Sequence, residues 1–250
     1  MEKKNQSIER TFLILECFKN YKKGATLTDL SDATGLHKST VFRFLNTLIS
    51  LGYIRKSELK YHLTFKFYNI ASSYLNEYNL IEISEPYLEK LSENLNEVVH
   101  LVVRDGNYCV YVNKIEDNNA ITMGSKIGAR IPLLLSSVGK AIISYQSDDE
   151  IKAVYEQSII NNLFDEDKLD LNDLMNDINE TRQTGIGIDD EDNEPGIFCV
   201  GAAIKAVGGQ IIGALSVTGP KTRMIEKVKS ENIKQQVLET AKLISSKMGN

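Results

Sequence analysis

Histidine and cysteine are scarce in this chain, with three of each in 250 residues, and their scarcity removes several kinds of chemistry. Cys17, Cys109 and Cys199 lie far apart, with no CxxC pair and no even-numbered framework. That spacing argues against a disulfide scaffold or a structural zinc knot and fits a reducing cytosol. His37, His62 and His100 are the only histidines, and two of them fall in the N-terminal part. An enzyme using Cys199 or Ser216 as nucleophile therefore lacks an evident base, and no nucleophile elbow or metal motif accompanies either residue. No catalytic residue, metal ligand or cofactor is expected. Long apolar runs are missing too. The opening MEKKNQSIER has no apolar signal core. Cys199 to Val217 approaches the length of a membrane span, but Lys205, Gly208, Gly209 and Gln210 interrupt its centre, so two buried strands are expected there. The expectation is a cytoplasmic protein with no membrane partner.

What is present has the balance of an ordinary globular chain, 42% hydrophobic and 25% charged. The length suits two domains, each with its own core. Charge is divided unevenly between them. Residues 1–66 hold 12 Lys and Arg against 6 Asp and Glu, a balance of +6, while the rest holds 17 against 28, a balance of −11. A basic head on an acidic body is expected when one domain meets phosphates and the other does not.

The basic head contains LTDLSDATGLHKSTVFRFLNTL, from Leu27 to Leu48. Val41, Phe44, Leu45 and Leu48 recur at the spacing of a buried helical stripe. Ser39, Arg43 and Asn46 fall on the opposite side, where each can donate to phosphates or base edges. Gly35 stands where a left-handed turn between two helices is needed, and Ser31 is small enough for close packing. Gly52–Lys56 and Lys60–Leu63 read as two short strands, so a winged helix-turn-helix is expected over residues 1–66. Lys38, Ser39, Thr40, Arg43, Asn46, Arg55, Lys56 and Lys60 are its candidate contacts to double-stranded DNA. A generic amphipathic helix pair, or a winged helix serving as a protein adaptor, is the alternative.

Beyond the wing the period changes twice. Ser7–Phe18 reads as a first helix with Ile8, Phe12, Ile14 and Leu15 inward. Phe65–Tyr78 reads as a linker helix, within an interdomain segment placed at 67–84. Its aromatic face either packs on the first domain or pairs with a second subunit. Pro86 is expected to open a helix running to Leu95. Val98–Val103 and Tyr108–Val112 alternate around Asp105-Gly106-Asn107, a hairpin signature, and a third strand is expected through Ile121–Met123. Helices are expected over Ser136–Tyr145, after the capping box Ser147–Glu150, and over Leu169–Thr184 up to Gly185. A second hairpin (Val200–Ile204 with Ile211–Val217) and one polar helix from about Ile225 complete an α+β effector-type domain over 85–250.

Several segments in the right order resemble the IclR family of bacterial transcriptional regulators. These are GLHKSTVFRFLNTLISLGYI, GSKIGARIPLLLSSVGKAI, GIGIDDEDNEPGIFCVGAAI (Gly185–Ile204) and ALSVTGP. The resemblance implies a winged helix-turn-helix joined by a helix to a GAF-like effector domain, in dimers often paired into tetramers on operator DNA. It implies control by a small organic acid or aromatic metabolite, with repression the expected direction and activation the alternative. Carried over residue by residue, it assigns the effector pocket to Met123, Ile131, Ser137, Val138, Asp189, Ile197, Cys199, Ser216 and Thr218. Three positions depart from the family pattern: His37 stands where proline is common, Leu134 where His or Asn is common, and Ser137-Val138 where Gly-Ala is common.

The residues themselves make a pocket reasonable. Ser216 and Thr218 are two apart on a strand, so both hydroxyls face one side and suit a keto or hydroxyl oxygen. A helix starting at Ser136 or Ser137 offers amide donors to a carboxylate or sugar acid, and Met123, Ile131 and Ile197 supply apolar wall. The plainer alternatives are Ser137 as a helix cap, Met123 and Cys199 as core fillers, and Ser216 and Thr218 as simple polar strand residues. Lys140 is expected to be a solvated helix residue, with reach to the mouth of a pocket as the alternative, and the acidic run Asp189–Glu194 a solvated loop rather than a metal site.

Overall fold

The computed structural model describes residues 5–75, 80–116, 124–164, 167–230 and 232–249. The chain divides into two compact units, Met1–Glu77 and Tyr78–Asn250. The interdomain segment expected over 67–84 is thereby divided between two helices, Lys66–Leu75 in the first unit and Leu80–Leu95 in the second.

The first unit runs α1 (Gln6–Cys17), β1 (Ala25–Thr26), α2 (Leu27–Thr34), α3 (Lys38–Ser50), β2 (Ile54–Ser57), β3 (Lys60–Leu63) and α4 (Lys66–Leu75). Thr26 starts α2 through a reciprocal capping box with Asp29, and Gly35 ends it with φ 68°. The Ser31 hydroxyl donates to the Leu36 carbonyl at 2.7 Å, so this serine fastens the turn as well as allowing close packing. His37 precedes α3 with φ −58°, a value a proline would impose, and makes no side-chain cap. Val41, Leu45 and Leu48 are buried with Leu30, Ile14, Phe18, Ile54 and Tyr61, while Phe44 is only half-buried. β2 and β3 form the wing, with β1 on the far edge of β3. One expectation fails in α1: Ile14 is its buried residue, whereas Ile8 and Phe12 are exposed. Phe67 of α4 packs against Tyr53 in a tilted ring pair with centroids 5.0 Å apart, while Phe65, Tyr68 and Ile70 are exposed.

The second unit is a six-stranded antiparallel sheet with helices on both faces. Its elements are α5 (Leu80–Leu95), β4 (Val98–Asp105), β5 (Tyr108–Ile115), β6 (Arg130–Pro132), α6 (Ser137–Ile143), α7 (Asp148–Ile160), α8 (Leu171–Thr184), β7 (Gly187–Asp190), β8 (Ile197–Lys205), β9 (Ile211–Pro220), α9 (Lys221–Ser230) and α10 (Ile233–Lys247). The strand order is β6-β5-β4-β9-β8-β7. One core joins α5, α9 and α10 to the sheet through residues such as Leu88, Leu101, Val200, Leu215 and Val237. A second lies under α6, α7 and α8 and includes Val102, Cys109, Leu133, Val138, Ile143 and Ile178.

Two sequence expectations need correction here, and a third is not tested. Pro86 lies inside α5, which starts at Leu80. The C-terminal polar helix is two helices, α9 and α10. The strand expected at Ile121–Met123 lies outside the described residues, and β6 forms the edge beside β5. The Ser147–Glu150 capping box and the left-handed stop at Gly185 are present as read. Among the described residues no helix is long and apolar enough to cross a membrane.

Candidate functional site

The first candidate surface is α3 with the wing. Lys38, Ser39, Arg43 and Asn46 are exposed and Thr40 is half-buried. Burial of Val41, Leu45 and Leu48 on the other side of α3 fixes that orientation. The guanidinium of Arg43 lies over the Phe44 ring, 5.7 Å from its centroid. On the wing Arg55, Lys56 and Lys60 are all exposed, but they do not share a face. The register pairs Lys56 with Tyr61, Arg55 with His62 and Ser57 with Lys60. Lys56 therefore lies on the side of the buried Tyr61, with its ammonium 5.6 Å from that ring, while Arg55 and Lys60 share the outer side.

The second candidate is a cavity between the sheet and the start of α6. Two cross-strand rows form its floor. His100, Ser216, Gly201 and Gly187 follow one another across β4, β9, β8 and β7, and the next row is Val98, Thr218, Cys199 and Asp189. The two glycines are a geometric requirement. A Cβ on Gly187 would stand 2.1 Å from the Ser137 carbonyl oxygen, and one on Gly201 would stand 2.9 Å from the Val138 nitrogen. Bare backbone there lets α6 lie directly on the sheet and brings Ser137 and Val138 to the cavity. The helix cap is Ser136, whose oxygen accepts the Gly139 N–H, so Ser137 is left free of that duty.

Ile131, Ser137, Val138, Asp189, Ile197, Cys199, Ser216 and Thr218 all line this space. Met123 lies outside the described residues. Sequence reasoning missed His100, Tyr111, Ser125, Ser136, Asn193 and Glu194, which line it as well. His100 was within reach of the period-two pattern, since on β4 it shares a face with Val98 and alternates with Val99 and Leu101. Ser125 sits in an irregular segment that offers no periodic signal. The cavity encloses about 40 Å³, room for one to a few water molecules. None of its described lining residues is Lys or Arg.

Its polar groups are linked. His100 lies between Ser125 Oγ, 2.8 Å from Nε2, and Thr218 Oγ1, 3.4 Å from Nδ1, with the Tyr111 ring tilted at 45° to it and centroids 4.7 Å apart. Burial, helped by the Lys114 charge, lowers the His100 pKa to about 3. Thr218 donates to Cys199 Sγ at 3.4 Å. Burial and the nearby Asp189 push the Cys199 thiol well above its ordinary value. Asp189 Oδ1 accepts the Asp192 and Asn193 N–H groups at 2.9 and 3.3 Å. Burial dominates its titration and raises it to about 6.

Two expectations about charge are overturned here. Asp189 is a β7 residue, 4% exposed, and not part of a solvated loop. Lys140 is 1% exposed, and its ammonium lies 2.5 Å from Asp177 and 2.7 Å from Asp192. Burial disfavours its charge, but the two carboxylates outweigh that and leave its pKa above the ordinary lysine value.

This chain matches the IclR helix-turn-helix domain over residues 7–58 and the bacterial transcriptional regulator IclR C-terminal domain over residues 72–246. It belongs to the IclR family. The protein is therefore a DNA-binding transcriptional regulator of the IclR type. It is similar to the DNA-binding transcriptional repressor YiaJ of Escherichia coli K12, at 29% identity over 98% of this chain and 88% of that protein. The Thermotoga maritima IclR crystal structure matches with a TM-score of 0.76 at 25% identity, covering 98% of this chain and 99% of that one. An IclR homologue from Microbacterium hydrocarbonoxydans, crystallised with 4-hydroxybenzoate, shares the fold with a TM-score of 0.78 at 17% identity, covering 98% and 99% of the two chains.

Proposed function

We propose that this IclR-family regulator is an effector-controlled repressor, which binds operator DNA through α3 and the wing and is switched by a small acid in the cavity above β8 and β9. The observation that carries this reading is the convergence of residues between 100 and 218 on one enclosed polar space. On the DNA side, Lys38, Ser39, Thr40, Arg43 and Asn46 read the groove, and Arg55, Lys56 and Lys60 meet the backbone. On the effector side, Ser137, Ser216 and Thr218 bind keto or hydroxyl oxygens, Asp189 accepts a hydroxyl, and Ile131, Val138, Ile197 and Cys199 supply the walls. Met123 belongs to the same proposed set. With Asp189 in the wall and no lining Lys or Arg described, a hydroxylated or keto acid fits better than a bare carboxylate. The Microbacterium homologue holds an aromatic hydroxy acid, 4-hydroxybenzoate.

A catalytic role is disfavoured by the same groups. His100 titrates far below the near-neutral range that suits a general base, and the Cys199 thiol is held protonated. The protein acts in the cytoplasm without metal or cofactor, as a homodimer or a pair of dimers. Exposed apolar side chains on α1 and α4, including Phe12 and Tyr68, support that assembly. We assign residues 1–66 to DNA binding, 67–84 to a linker and 85–250 to effector binding, with the linker transmitting occupancy of the cavity to the spacing of the two α3 helices.

The test is a thermal-shift screen of the full chain against keto acids, sugar acids and aromatic acids. A ligand at 100 times its Kd adds about 2.7 kcal/mol, which moves the midpoint by roughly 5–10 °C in a chain of this size. A hit is expected among the hydroxylated or keto acids. Absence of a shift across all three classes contradicts the proposal.

A further inference from the structure

The effector cavity is walled by sheet strands, by α6, and by two irregular segments, one carrying Ser125 and one following β7. β4, β9 and β8 are interior strands of the sheet, and α6 is buried along its whole length. The segment after β7 contributes Asn193 and Glu194 to the lining. The enclosed volume is about 40 Å³, far below the roughly 300 Å³ or more of small-molecule sites. An organic acid can enter only if a wall moves, and of the two irregular walls this loop is the one pinned by a buried ion pair.

Two cations hold the loop. Lys221 pairs with Asp190 and Glu191, but its side chain is 31% exposed and the contact is correspondingly weak. Lys140 is different. Its ammonium, 1% exposed, meets Asp192 from the loop at 2.7 Å and Asp177 from α8 at 2.5 Å. Asp192 also gives its backbone N–H to Asp189, so one loop residue joins the buried cation to the cavity carboxylate. We propose that the Lys140–Asp192 ion pair is the latch of this loop, a positioning contact that holds residues 191–194 over the cavity and must release for an effector to enter.

The proposal rests on the cavity being the effector site, but its test needs neither effector nor DNA, so the two can fail separately. The chain supplies its own reporters. Cys199 lines the cavity, whereas Cys109 is buried in the core beneath α6 and does not. In a full-length Cys17→Ser background, the rate at which 5,5′-dithiobis(2-nitrobenzoic acid) modifies each thiol reads loop opening at Cys199 and wider unfolding at Cys109. Asp192→Asn leaves Lys140 paired with Asp177, so the buried charge keeps a partner and the fold is preserved. Asp177→Asn removes the helix-side partner and leaves the latch.

Asp192→Asn is expected to modify at least tenfold faster at Cys199 with the Cys109 rate unchanged, and Asp177→Asn to match the parent. Lys140→Met should behave as Asp192→Asn does. A Cys199 rate in Asp192→Asn within threefold of the parent overturns the latch. So does equal acceleration in Asp177→Asn, or a Cys109 rate that rises in step with Cys199.

Discussion

Asp189 on β7 and Cys199 on β8 are direct cross-strand partners, and both side chains end in the same cavity. That pairing places a carboxyl group where water is scarce, with its pKa raised to about 6. His100, in the neighbouring row on β4, is pushed the other way, to about 3.

These two shifts act oppositely on stability. Between about pH 4 and 6 the folded chain keeps a proton on Asp189 that the unfolded chain has lost, so this contribution weakens as pH rises through 6. Between about pH 3 and 6.5 the unfolded chain protonates its histidine while folded His100 stays neutral, so that contribution weakens as pH falls. The slopes offset each other between about pH 4 and 6. Asp189→Asn removes one of them. Urea unfolding of this variant should lose stability from pH 6 to 4 more steeply than the parent, by up to about 1.4 kcal/mol per pH unit. Parallel pH profiles would show that Asp189 is ordinary in the folded chain.

Arg43→Ala removes an exposed side chain whose donors are free for DNA. A base or phosphate contact is worth roughly 1–3 kcal/mol, so fluorescence anisotropy should show at least a tenfold weaker complex. Far-UV circular dichroism should be unchanged. Unaltered affinity would remove Arg43 from the contact set.

Ser216→Ala with Thr218→Val takes both hydroxyls from the cavity floor while keeping the β9 ladder. The double variant should lose the thermal shift given by any acid found in the screen, and its DNA affinity should stay within twofold of the parent. A full thermal shift in the variant would place the effector elsewhere.

Gly187→Ala tests the seating of α6. The added methyl meets the Ser137 carbonyl oxygen at 2.1 Å, a backbone atom that can yield only if the helix moves. Overpacking of this kind typically costs about 1–3 kcal/mol, measurable as a lower urea midpoint for the second unit. An unchanged midpoint would mean that α6 is not held against β7.

Much of this was legible in the sequence because periodicity reports which face is buried. The α3 stripe, the turn at Gly35, the capping box at Ser147 and the shared face of Ser216 and Thr218 all follow from local spacing. Contacts made across the chain left no such mark. Lys140 looks like a surface residue until Asp177 and Asp192 arrive from 37 and 52 positions away. Asp189 opens a polar run that reads as a loop, and only pairing with β8 makes it a strand. Pro86 is a common first residue of a helix, yet α5 extends six residues before it. Wing strands were readable, but the opposite facing of Lys56 and Arg55 required the β2–β3 register.

In the proposed mechanism, occupancy of the cavity controls DNA binding. Its most direct test measures the Kd of the full chain for a duplex enriched from a random library, with and without a saturating acid from the thermal-shift screen. The acid is expected to weaken binding at least tenfold, and Ser216→Ala/Thr218→Val to abolish the change. A Kd indifferent to an acid that binds the cavity would contradict it, since a ligand with equal affinity for both states shifts nothing.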